Sequence, residues 1–401
     1  MLDPEPLIIV GSSVRAAAQS AVRAGFRPWC IDQFGDRDLV DISSNVHTVA
    51  DWPNEIESAM QSAPQGKWVY TGALENRPAL IERLSQLRSL CGCNAETLSR
   101  LRDPLWLTDT LTKASLPCLP VVVPISNVPE SGDWIVKPVS SAAGIGVRDL
   151  PAGSAGTINL DGHYLQRKAR GRVVSGLFLA VENSTLLLGM CEQLCRGGDA
   201  EGLCYVYSGS IGPLTTADVS IAVFEQARRI GSAMVTGVQV EAEPLKGLFG
   251  IDFVLDEKTG ELWTLEINPR YTASAEIYER AFGWPLMRWH VDACRGRDSE
   301  ADELLGSRPL NGGWQSYGKT IVYAKRDFAA PDLVPLVERL AANDIKESSI
   351  DVADIPQLGT PIRKDEPICT LLTSGANLST CREILTAAAR ELLSGIDELT
   401  E

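Results

Sequence analysis

Several residue types that common functional sites require are rare in this 401-residue sequence. It holds only three histidines, and its ten cysteines include no Cys-x-x-Cys pair. Zinc sites and catalysis by a histidine base are therefore disfavoured. We expect the cysteines to stay reduced and to act as small apolar residues, as is usual in the cytoplasm.

Positive charge is also scarce. Lys and Arg number 37 against 52 Asp and Glu, which gives a formal net charge of -15, and no run of Lys or Arg reverses this balance locally. Such a chain repels phosphate backbones, so we expect no nucleic-acid partner. No apolar run approaches the ~20 residues that span a bilayer, and the first residues lack the pattern of a signal peptide. We therefore expect a cytoplasmic protein without a membrane partner.

Strand and helix signals alternate in the N-terminal part of the chain. Leu7–Val10 and Pro28–Asp32 read as strands around an Ala-rich helix over Val14–Ala24. A second such unit follows, with a strand at Lys67–Tyr70 and a helix at Pro78–Leu90. Apolar residues make up 44% of the sequence, which is enough for a packed core. The pattern predicts an α/β domain at this end.

The pattern changes past about residue 113, where short β-runs separated by turns dominate. A β-hairpin is expected from Gly250–Leu255 and Glu261–Asn268. Residues 296–312 are polar and rich in Gly, Asp and Ser, which is typical of a linker. Residues 313–401 carry strand and helix signals of their own, so they predict a smaller unit.

The hairpin carries the most specific chemical signal. Side chains alternate along a strand, so Glu266 and Asn268 share one face. If Asp256 pairs with Leu262, the antiparallel register sets Asp252 opposite Glu266. Two carboxylates at that distance repel each other unless a cation lies between them, and oxygen-only ligands favour Mg²⁺ beside a phosphate. On the spacing alone, a solvated polar hairpin edge is an equal alternative.

A second signal is a lysine on a strand that leads into a loop of small residues. Trp134–Pro138 reads as a strand with Lys137 in apolar surroundings, and residues 139–147 follow it with two glycines. Small residues let backbone N–H groups approach a phosphate, and the lysine adds a charge. A glycine-rich turn by itself is usually a plain connection between strands. Together with the acidic hairpin, it indicates a nucleotide-phosphate site.

In the order of these motifs, the sequence resembles the ATP-grasp superfamily over roughly its first three quarters. The resemblance implies that the phosphates of ATP are contacted by Lys137, Ser140, Ser141, Gly144 and Gly146. It implies that a hinge at residues 166–171 receives the adenine, with contacts from Gln166, Arg167, Lys168 and Ala169. It implies that Mg²⁺ or Mn²⁺ is bound by Asp252, Glu266 and Asn268, and that two groups act in catalysis, Arg270 and Lys137.

The resemblance also implies the fold, an ATP-grasp fold of mixed α/β and α+β class. Residues 1–112 would form a Rossmann-like pre-ATP-grasp domain. Residues 113–295 would form the ATP-grasp domain, with two subdomains joined near the hinge. Residues 313–401 would form a small C-terminal mixed β/α unit. A homodimer is a further expectation from the family.

The implied activity is that of a ligase. ATP activates a small-molecule carboxylate as an acyl phosphate, ADP is released, and an amine attacks the activated carboxylate. The nearest likeness is to the predicted ATP-dependent carboligase, or carboxylate–amine ligase, branch, and three segments carry it: Gly11–Arg15, Tyr207–Ser210 and Gly359–Gly375. Some relatives are associated with one-carbon cofactor biosynthesis, where an amino acid is ligated.

Two features of the family are not evident in the sequence. Many members place a second phosphate-binding lysine before the helix that starts near Leu105, where this chain has Arg102–Pro104. Arg102 is an alternative donor, since guanidinium groups also bind phosphate. The acidic ribose contact expected after the hinge falls on Val173 and Val174, so the sequence does not identify the residue that replaces it.

Three alternative functions stay open at this point. ATP-dependent carboxylation of the biotin-carboxylase type is one, because residues 359–370 resemble the small C-terminal β unit of those enzymes. An NAD(P)-dependent dehydrogenase is another, since Asp32 follows Gly11 at about the spacing of a ribose-binding acid. However, only the first glycine of the dinucleotide fingerprint is present. The third is a non-catalytic ATP-binding protein.

Overall fold

The computed structural model describes residues 3–123, 133–151, 161–197, 203–239, 242–297, 313–342 and 349–400. The linker predicted over residues 296–312 lies outside these ranges from residue 298 onward. Among the described helices, none combines the length and the hydropathy that crossing a bilayer requires.

The N-terminal part is a five-stranded parallel sheet with helices on its faces. Its strands are β1 (Pro6–Val10), β2 (Arg27–Asp32), β3 (Asn45–Thr48), β4 (Lys67–Tyr70) and β5 (Ser89–Leu90), in the order β3-β2-β1-β4-β5. Its helices are α1 (Arg15–Arg23), α2 (Arg37–Ile42), α3 (Ile56–Ser62) and α4 (Pro78–Leu87). This confirms the predicted α/β start. The chain turns to opposite sides of β1 to reach β2 and β4, so the carboxyl ends of β1 and β4 border a crevice.

One sequence expectation in this part is wrong at its end. The helix predicted over Pro78–Leu90 ends at Leu87, because Arg88 has an extended backbone and the next two residues form β5. There Leu90 pairs with Trp68 of β4. Strand pairing at the sheet edge therefore overrides the helical spacing of the leucines.

Two short helices, α5 (Ala95–Leu101) and α6 (Pro104–Lys113), lead to a four-stranded antiparallel sheet. Its strands are β6 (Val121–Val122), β7 (Trp134–Pro138), β8 (Arg148–Asp149) and β9 (His163–Arg167), in the order β6-β9-β7-β8. Lys137 lies on β7, and Gln166 lies near the end of β9. This small sheet is the first of the two layers that enclose the candidate site.

The second layer is an eight-stranded antiparallel sheet in the order β14-β13-β10-β11-β12-β15-β19-β17. The strands are β10 (Arg172–Val181), β11 (Ser184–Cys195), β12 (Tyr207–Gly212), β13 (Gly247–Leu255), β14 (Leu262–Asn268), β15 (Ser316–Tyr323), β17 (Ile350–Ala353) and β19 (Pro367–Gly375). A separate pair is formed by β16 (Phe328–Ala329) and β18 (Pro361–Ile362). The helices of this region are α7 (Ile221–Gln239), α8 (Ala275–Phe282), α9 (Leu286–Cys294), α10 (Val334–Ala342) and α11 (Leu378–Thr400).

The C-terminal strands continue the central sheet. Gly209 of β12 pairs with Thr320 of β15, and β15 pairs with β19 along its whole length. The sequence places 313–401 in a unit of its own, and that division stays a prediction. In the structure, this segment shares one hydrogen-bonded ladder with the strands that carry the candidate metal ligands.

Apolar packing joins the N-terminal domain to the central sheet. Buried side chains of α1, such as Ala17 and Ala21, lie in one cluster with Ile277 of α8 and Trp289 of α9. Burial of apolar area at roughly 25 cal/mol per Å² makes such a junction stable. The crevice of the N-terminal sheet is thereby held next to the end of β14.

Candidate active site

The predicted hairpin is formed by β13 and β14, and Asp252 pairs directly with Glu266. The predicted pairing of Asp256 with Leu262 is wrong, because Leu255 pairs with Leu262. The register shifts by one residue just after Asp252, and Leu265 is left without a partner strand residue at this β-bulge. A bulge inserts one residue and re-aims its neighbours. The predicted facing of the two carboxylates is nonetheless confirmed.

Asp252 is bound from two sides by amide groups. Asn268 Nδ2 donates to Asp252 Oδ2 over 2.9 Å, and Gln193 Nε2 on β11 donates to Asp252 Oδ1 over 2.5 Å. Burial raises the pKa of Asp252, and the negative charge of Glu266 raises it further. Sequence reasoning missed Gln193, which becomes visible only once β11 is known to lie two strands from β13, the strand that carries Asp252.

Glu266 has the opposite electrostatic environment. Burial alone would raise its pKa, but the cations Arg102, Lys137 and Arg270 outweigh that effect and lower it. Glu266 is therefore the ionised member of the acidic pair and Asp252 the member that holds its proton more tightly. Repulsion within this pair would be relieved by a cation at the site. The residues that the structure describes contain no group of three or more His, Cys, Asp or Glu side chains suited to a metal. Binding of Mg²⁺ or Mn²⁺ by Asp252, Glu266 and Asn268 stays a prediction.

Lys137 lies across the cleft from this hairpin. Its side chain is buried, and Nζ donates to Gln166 Oε1 and to the backbone carbonyl of Leu265, each over 3.3 Å. The Tyr164 ring lies 5.7 Å from Nζ. Burial alone would lower the pKa of Lys137, but Tyr164 and Glu266 outweigh it and raise it, so the ammonium stays charged. Leu265, which the bulge leaves unpaired, thus accepts the hydrogen bond of Lys137 through its backbone carbonyl.

The predicted flap over residues 140–146 is a sequence of tight turns. Gly144 and Gly146 have φ values of 75° and 79°, which favour glycine. A Cβ on Gly144 would also lie 2.0 Å from the carbonyl oxygen of Tyr205. Tyr207 N–H donates to the carbonyl of Ala143 over 3.0 Å, so the flap rests on the connection between β11 and β12. The flap and Lys137 border the same cleft, which is lined at one side by Ser141 and Gly144.

The predicted hinge begins within β9, and its residues already have partners inside the protein. Gln166 is buried and its side chain bonds Lys137. The N–H groups of Arg167 and Lys168 donate to the carbonyls of Pro120 and Asp133, both over 2.9 Å. Any adenine contact through those two N–H groups would compete with bonds inside the protein. Contacts of ATP with Gln166, Arg167, Lys168 and Ala169 therefore stay predictions.

Arg102, at the start of the α5–α6 connection, points into the cleft. Its Nη1 lies 3.6 Å from Glu266 Oε2, and its Nη2 donates to the Ser141 carbonyl over 2.8 Å and to Asn76 Oδ1 over 3.3 Å. A guanidinium group therefore lies at the cleft, and a phosphate contact by Arg102 stays a prediction.

Arg270, predicted as a catalytic group, is held by a residue that sequence reasoning missed. Glu75 Oε1 accepts from Arg270 Nη2 over 2.6 Å and from Nε over 2.9 Å. The Glu75 side chain is fully buried, and its other oxygen, Oε2, has no hydrogen-bond partner among the described residues. A Cβ on Gly72 would lie 3.8 Å from the guanidinium carbon of Arg270. The loop after β4 thus brings the N-terminal domain against Arg270, an arrangement that only the strand order could reveal.

A buried ion network lies beside this loop. Arg15 of α1 pairs with Glu276 of α8 over 2.5 Å and with Asp354 over 2.9 Å, and Lys319 of β15 pairs with Glu276 over 2.7 Å. Burial alone would raise the pKa of Glu276, but Arg15 and Lys319 hold it well below its usual range. Lys319 also donates to the Ala273 carbonyl over 3.4 Å, which anchors the segment that follows Arg270.

The dinucleotide alternative is disfavoured by the surroundings of Asp32. Its carboxylate accepts the N–H groups of Val14, Phe34 and Gly35 over 2.9, 2.8 and 2.7 Å, and the side chain is fully buried. A ribose-binding acid needs an accessible oxygen. Asp32 instead ties the loop after β2 to the start of α1.

Comparison with known proteins agrees with the interpretation of this cleft as a nucleotide site. A profile of the ATP-grasp domain matches residues 103–274. No curated protein matches the chain by sequence. The ADP complex of N5-carboxyaminoimidazole ribonucleotide synthetase is 13% identical, with 99% of each chain covered and a TM-score of 0.70. An L-amino acid ligase from Bacillus licheniformis is 14% identical, with 98% of each chain covered and a TM-score of 0.67.

A third similar structure is the biotin carboxylase domain of the 2-oxoglutarate carboxylase of Hydrogenobacter thermophilus. It is 12% identical, 97% of this chain and 90% of that chain are covered, and the TM-score is 0.65. At these identities, the likeness establishes the fold. It extends over nearly the whole chain, and the ATP-grasp profile spans every predicted metal and phosphate ligand, so residues 103–274 form an ATP-grasp domain in a chain that has the ATP-grasp fold.

Proposed function

We propose that this protein is an ATP- and Mg²⁺-dependent ligase that activates a carboxylate and joins it to an amine. One observation carries the proposal: Lys137 of one sheet and Glu266 of the other, which pairs with Asp252, line a single cleft. A charged lysine opposite two carboxylates and an amide suits a nucleotide phosphate that is bound together with a divalent cation.

The donor set fits Mg²⁺. Asp252, Glu266 and Asn268 would bind a cation through oxygen atoms only. Burial raises the pKa of Asp252 and the charge of Glu266 raises it further, and a cation would offset both effects. These three residues would hold the metal, and Gln193 would orient Asp252. When bound, Mg²⁺ supplies positive charge beside the phosphates of the nucleotide.

The reaction would then proceed in two steps, with the residues of the chain stabilising the charge on the transferring group. The substrate carboxylate oxygen forms a bond to the γ-phosphorus of ATP, the bond from phosphorus to the β,γ-bridging oxygen breaks, and ADP leaves. The amine nitrogen next bonds to the carbonyl carbon of the acyl phosphate, and inorganic phosphate leaves while the nitrogen loses a proton. Lys137, the N–H groups of the flap and Arg270 stabilise the negative charge on the transferring group. Because positioning and electrostatics suffice, no histidine base is required.

The second substrate has a crevice available. The carboxyl ends of β1 and β4 border it, and Ser12 N–H donates to the Gly72 carbonyl across it over 3.1 Å. Gly72 packs beside the Arg270 guanidinium, so this crevice opens towards the site of acyl transfer. Ligands of open α/β sheets bind at such a switch point. This supports a reaction of two substrates, one on each side of Arg270.

The finer parts of the proposal concern substrates and setting. An amino acid as one substrate and a role in one-carbon cofactor biosynthesis follow from the branch that the sequence resembles. A homodimer is proposed from the family, and a cytoplasmic location is proposed from the sequence pattern of the first residues and the lack of long apolar runs. Carboxylation is the second candidate, because the similar biotin carboxylase domain was crystallised with MgADP and bicarbonate.

The test is ADP release from ATP and Mg²⁺ with pools of amino acids, other carboxylic acids, amines and bicarbonate. We expect ADP formation that needs one carboxylate and one amine, and a new amide detected by mass spectrometry. ADP formation with bicarbonate alone as the carboxylate would favour carboxylation. Nucleotide binding without turnover in any pool would favour a non-catalytic protein.

A further inference from the structure

Two arginines connect the candidate metal ligands to one short turn of the N-terminal domain. This turn, Leu74–Asn76, is a 3-10 helix in the loop after β4. Arg102 lies between Glu266 Oε2 at 3.6 Å and Asn76 Oδ1 at 3.3 Å. Arg270 lies between Asn268 Oδ1 at 3.3 Å and Glu75 Oε1 at 2.6 Å. Two neighbouring residues of the turn, Asn76 and Glu75, are thus each bound by an arginine. Each arginine also contacts one candidate metal ligand: Arg102 contacts Glu266, and Arg270 contacts Asn268.

The same oxygen atoms serve the arginines and would serve a cation. Glu266 Oε2 attracts Arg102, and Asn268 Oδ1 accepts from Arg270. A cation that binds these oxygens withdraws their electron density and repels the guanidinium groups. Arg102 then keeps Asn76 and the Ser141 carbonyl, and Arg270 keeps Glu75 and the Tyr271 carbonyl, or both arginines move towards the phosphates. Loading of the site therefore acts on Asn76 and Glu75 at the same moment.

The turn is well placed to transmit such a change. Its preceding residue, Ala73, has a left-handed backbone with φ of 78°, which costs energy for a residue with a Cβ. Glu75 is buried with one oxygen unbonded within the described residues, so its present partner set is incomplete. Arg102 also donates to the Ser141 carbonyl, which includes the flap in the same network. The turn follows Gly72, which lies beside Arg270, and it contacts Arg102 of the nucleotide cleft.

We propose that the Leu74–Asn76 turn couples loading of the metal–nucleotide site to the shape of the acceptor crevice. In this role Asn76 and Glu75 are positioning residues, which act through Arg102 and Arg270. The inference rests on the proposed function, because it assumes that a nucleotide with a divalent cation binds at this cleft. It predicts that the acceptor crevice takes its competent form only after the metal and nucleotide have bound.

Hydrogen exchange on the full-length protein tests the coupling. Exchange of the backbone amides of residues 72–77 is compared without ligand, with ADP and EDTA, and with ADP and MgCl₂, while calorimetry measures ADP binding in each variant. We expect ADP with MgCl₂ to change exchange in this segment about threefold or more in the natural sequence. Asn76→Ala should reduce the response to less than about half, with the dissociation constant of Mg·ADP within about twofold.

Matched variants separate coupling from damage to the fold. Asn76→Asp keeps an acceptor for Arg102 and should restore most of the response. Asn54→Ala, an exposed asparagine of the same domain, should respond like the natural sequence. A turn whose exchange stays unchanged while calorimetry shows Mg·ADP bound would overturn the coupling and leave the proposed function intact, as would a full response in Asn76→Ala. Absence of Mg·ADP binding to the natural sequence would remove the proposed function and the coupling together.

Discussion

The ammonium group of Lys137 donates a hydrogen bond to the carbonyl of Leu265, the residue that the β-bulge of the acidic hairpin leaves unpaired. This bond ties β7 of the small sheet to β14 of the large sheet. It places the lysine within the electrostatic reach of Glu266, which lowers the pKa of that carboxyl together with Arg102 and Arg270. The two layers of the cleft therefore meet through one side chain and one irregular backbone position.

Substitution of the proposed metal ligands on the hairpin should lower the rate of turnover much more than it lowers the stability of the fold. Glu266→Gln and Asn268→Ala should each lower metal-dependent ADP formation about 100-fold or more, because they remove a ligand from the site of developing charge. The melting temperature of Glu266→Gln should change by less than about 4 °C, since Glu266 is partly exposed and a change of this size corresponds to roughly 1 kcal/mol. Glu257→Gln on the exposed hairpin loop is the control. Full activity in both site variants would show that the metal ligands are wrongly assigned.

Replacement of the cleft lysine should weaken ATP use. Lys137→Ala removes a charge-assisted contact worth roughly 1.5–3 kcal/mol, so the KM for ATP should rise about 10-fold or more. Lys113→Ala, at an exposed helix end, should leave ATP kinetics unchanged. Steady-state kinetics over a range of ATP concentrations measures the effect. Equal KM values for the two variants would contradict the role of Lys137.

The buried pair of Glu75 and Arg270 should show strong mutual dependence. Glu75→Gln leaves the guanidinium of Arg270 with a weaker acceptor, and breaking a buried pair typically costs about 3 kcal/mol. Chemical denaturation should detect that loss in Glu75→Gln and in Arg270→Gln.

A double-mutant cycle distinguishes the pair from two separate sites. The double variant should lose clearly less stability than the sum of the two single variants, because each single change already removes the shared interaction. Losses that add fully would indicate that the two side chains act independently.

Acid should destabilise the protein through His290. Its Nδ1 accepts the N–H of Leu248 over 2.8 Å and its Nε2 faces the Cys91 carbonyl over 3.1 Å, so the neutral ring fits the site. Burial lowers the pKa of His290 to about 4. An unfolded chain takes up this proton near pH 6.5, and the folded chain does so only near pH 4. The stabilising effect is therefore complete above pH 6.5 and is lost as the pH falls towards 4.

The expected loss from His290 is about 3 kcal/mol between pH 7 and pH 4. Denaturant titrations at a series of pH values measure it, and the resonance of the ring gives its pKa directly by NMR. His47→Gln provides the matched variant, because this histidine is only partly buried on an edge strand. A measured pKa near 6.5 for His290 would refute the assignment.

The sequence predicted best those parts of the site that depend on a local pattern of residues. Alternation along a strand was enough to set Asp252 opposite Glu266, and the small residues after Lys137 were enough to predict the turns of the flap. The hairpin register past Asp252 was not predictable, since no residue type demands the bulge at Leu265. A carbonyl there bonds Lys137 from another sheet, which is a tertiary effect.

Groups contributed by distant elements could not be predicted from the sequence. Gln193 approaches Asp252 because β11 lies near β13 in the sheet, and Glu75 approaches Arg270 because the crevice of the N-terminal sheet docks against the end of β14. Neither residue belongs to a motif that the sequence singles out. Their roles depend on strand order and domain docking, which local periodicity does not contain.

The continuous ladder from β14 to β17 limits how the protein can be divided. A chain that ended before residue 313 would expose the edge of β12, whose pairing with Thr320 and Lys319 would be lost. Open edges of this kind recruit strands from other chains. Lys319 would also no longer reach Glu276. A C-terminal segment exchanged between ligases of this type would therefore have to preserve the register of β15 on β12 and the buried charge of Lys319. A fusion at the linker that ignored these two features would produce aggregation.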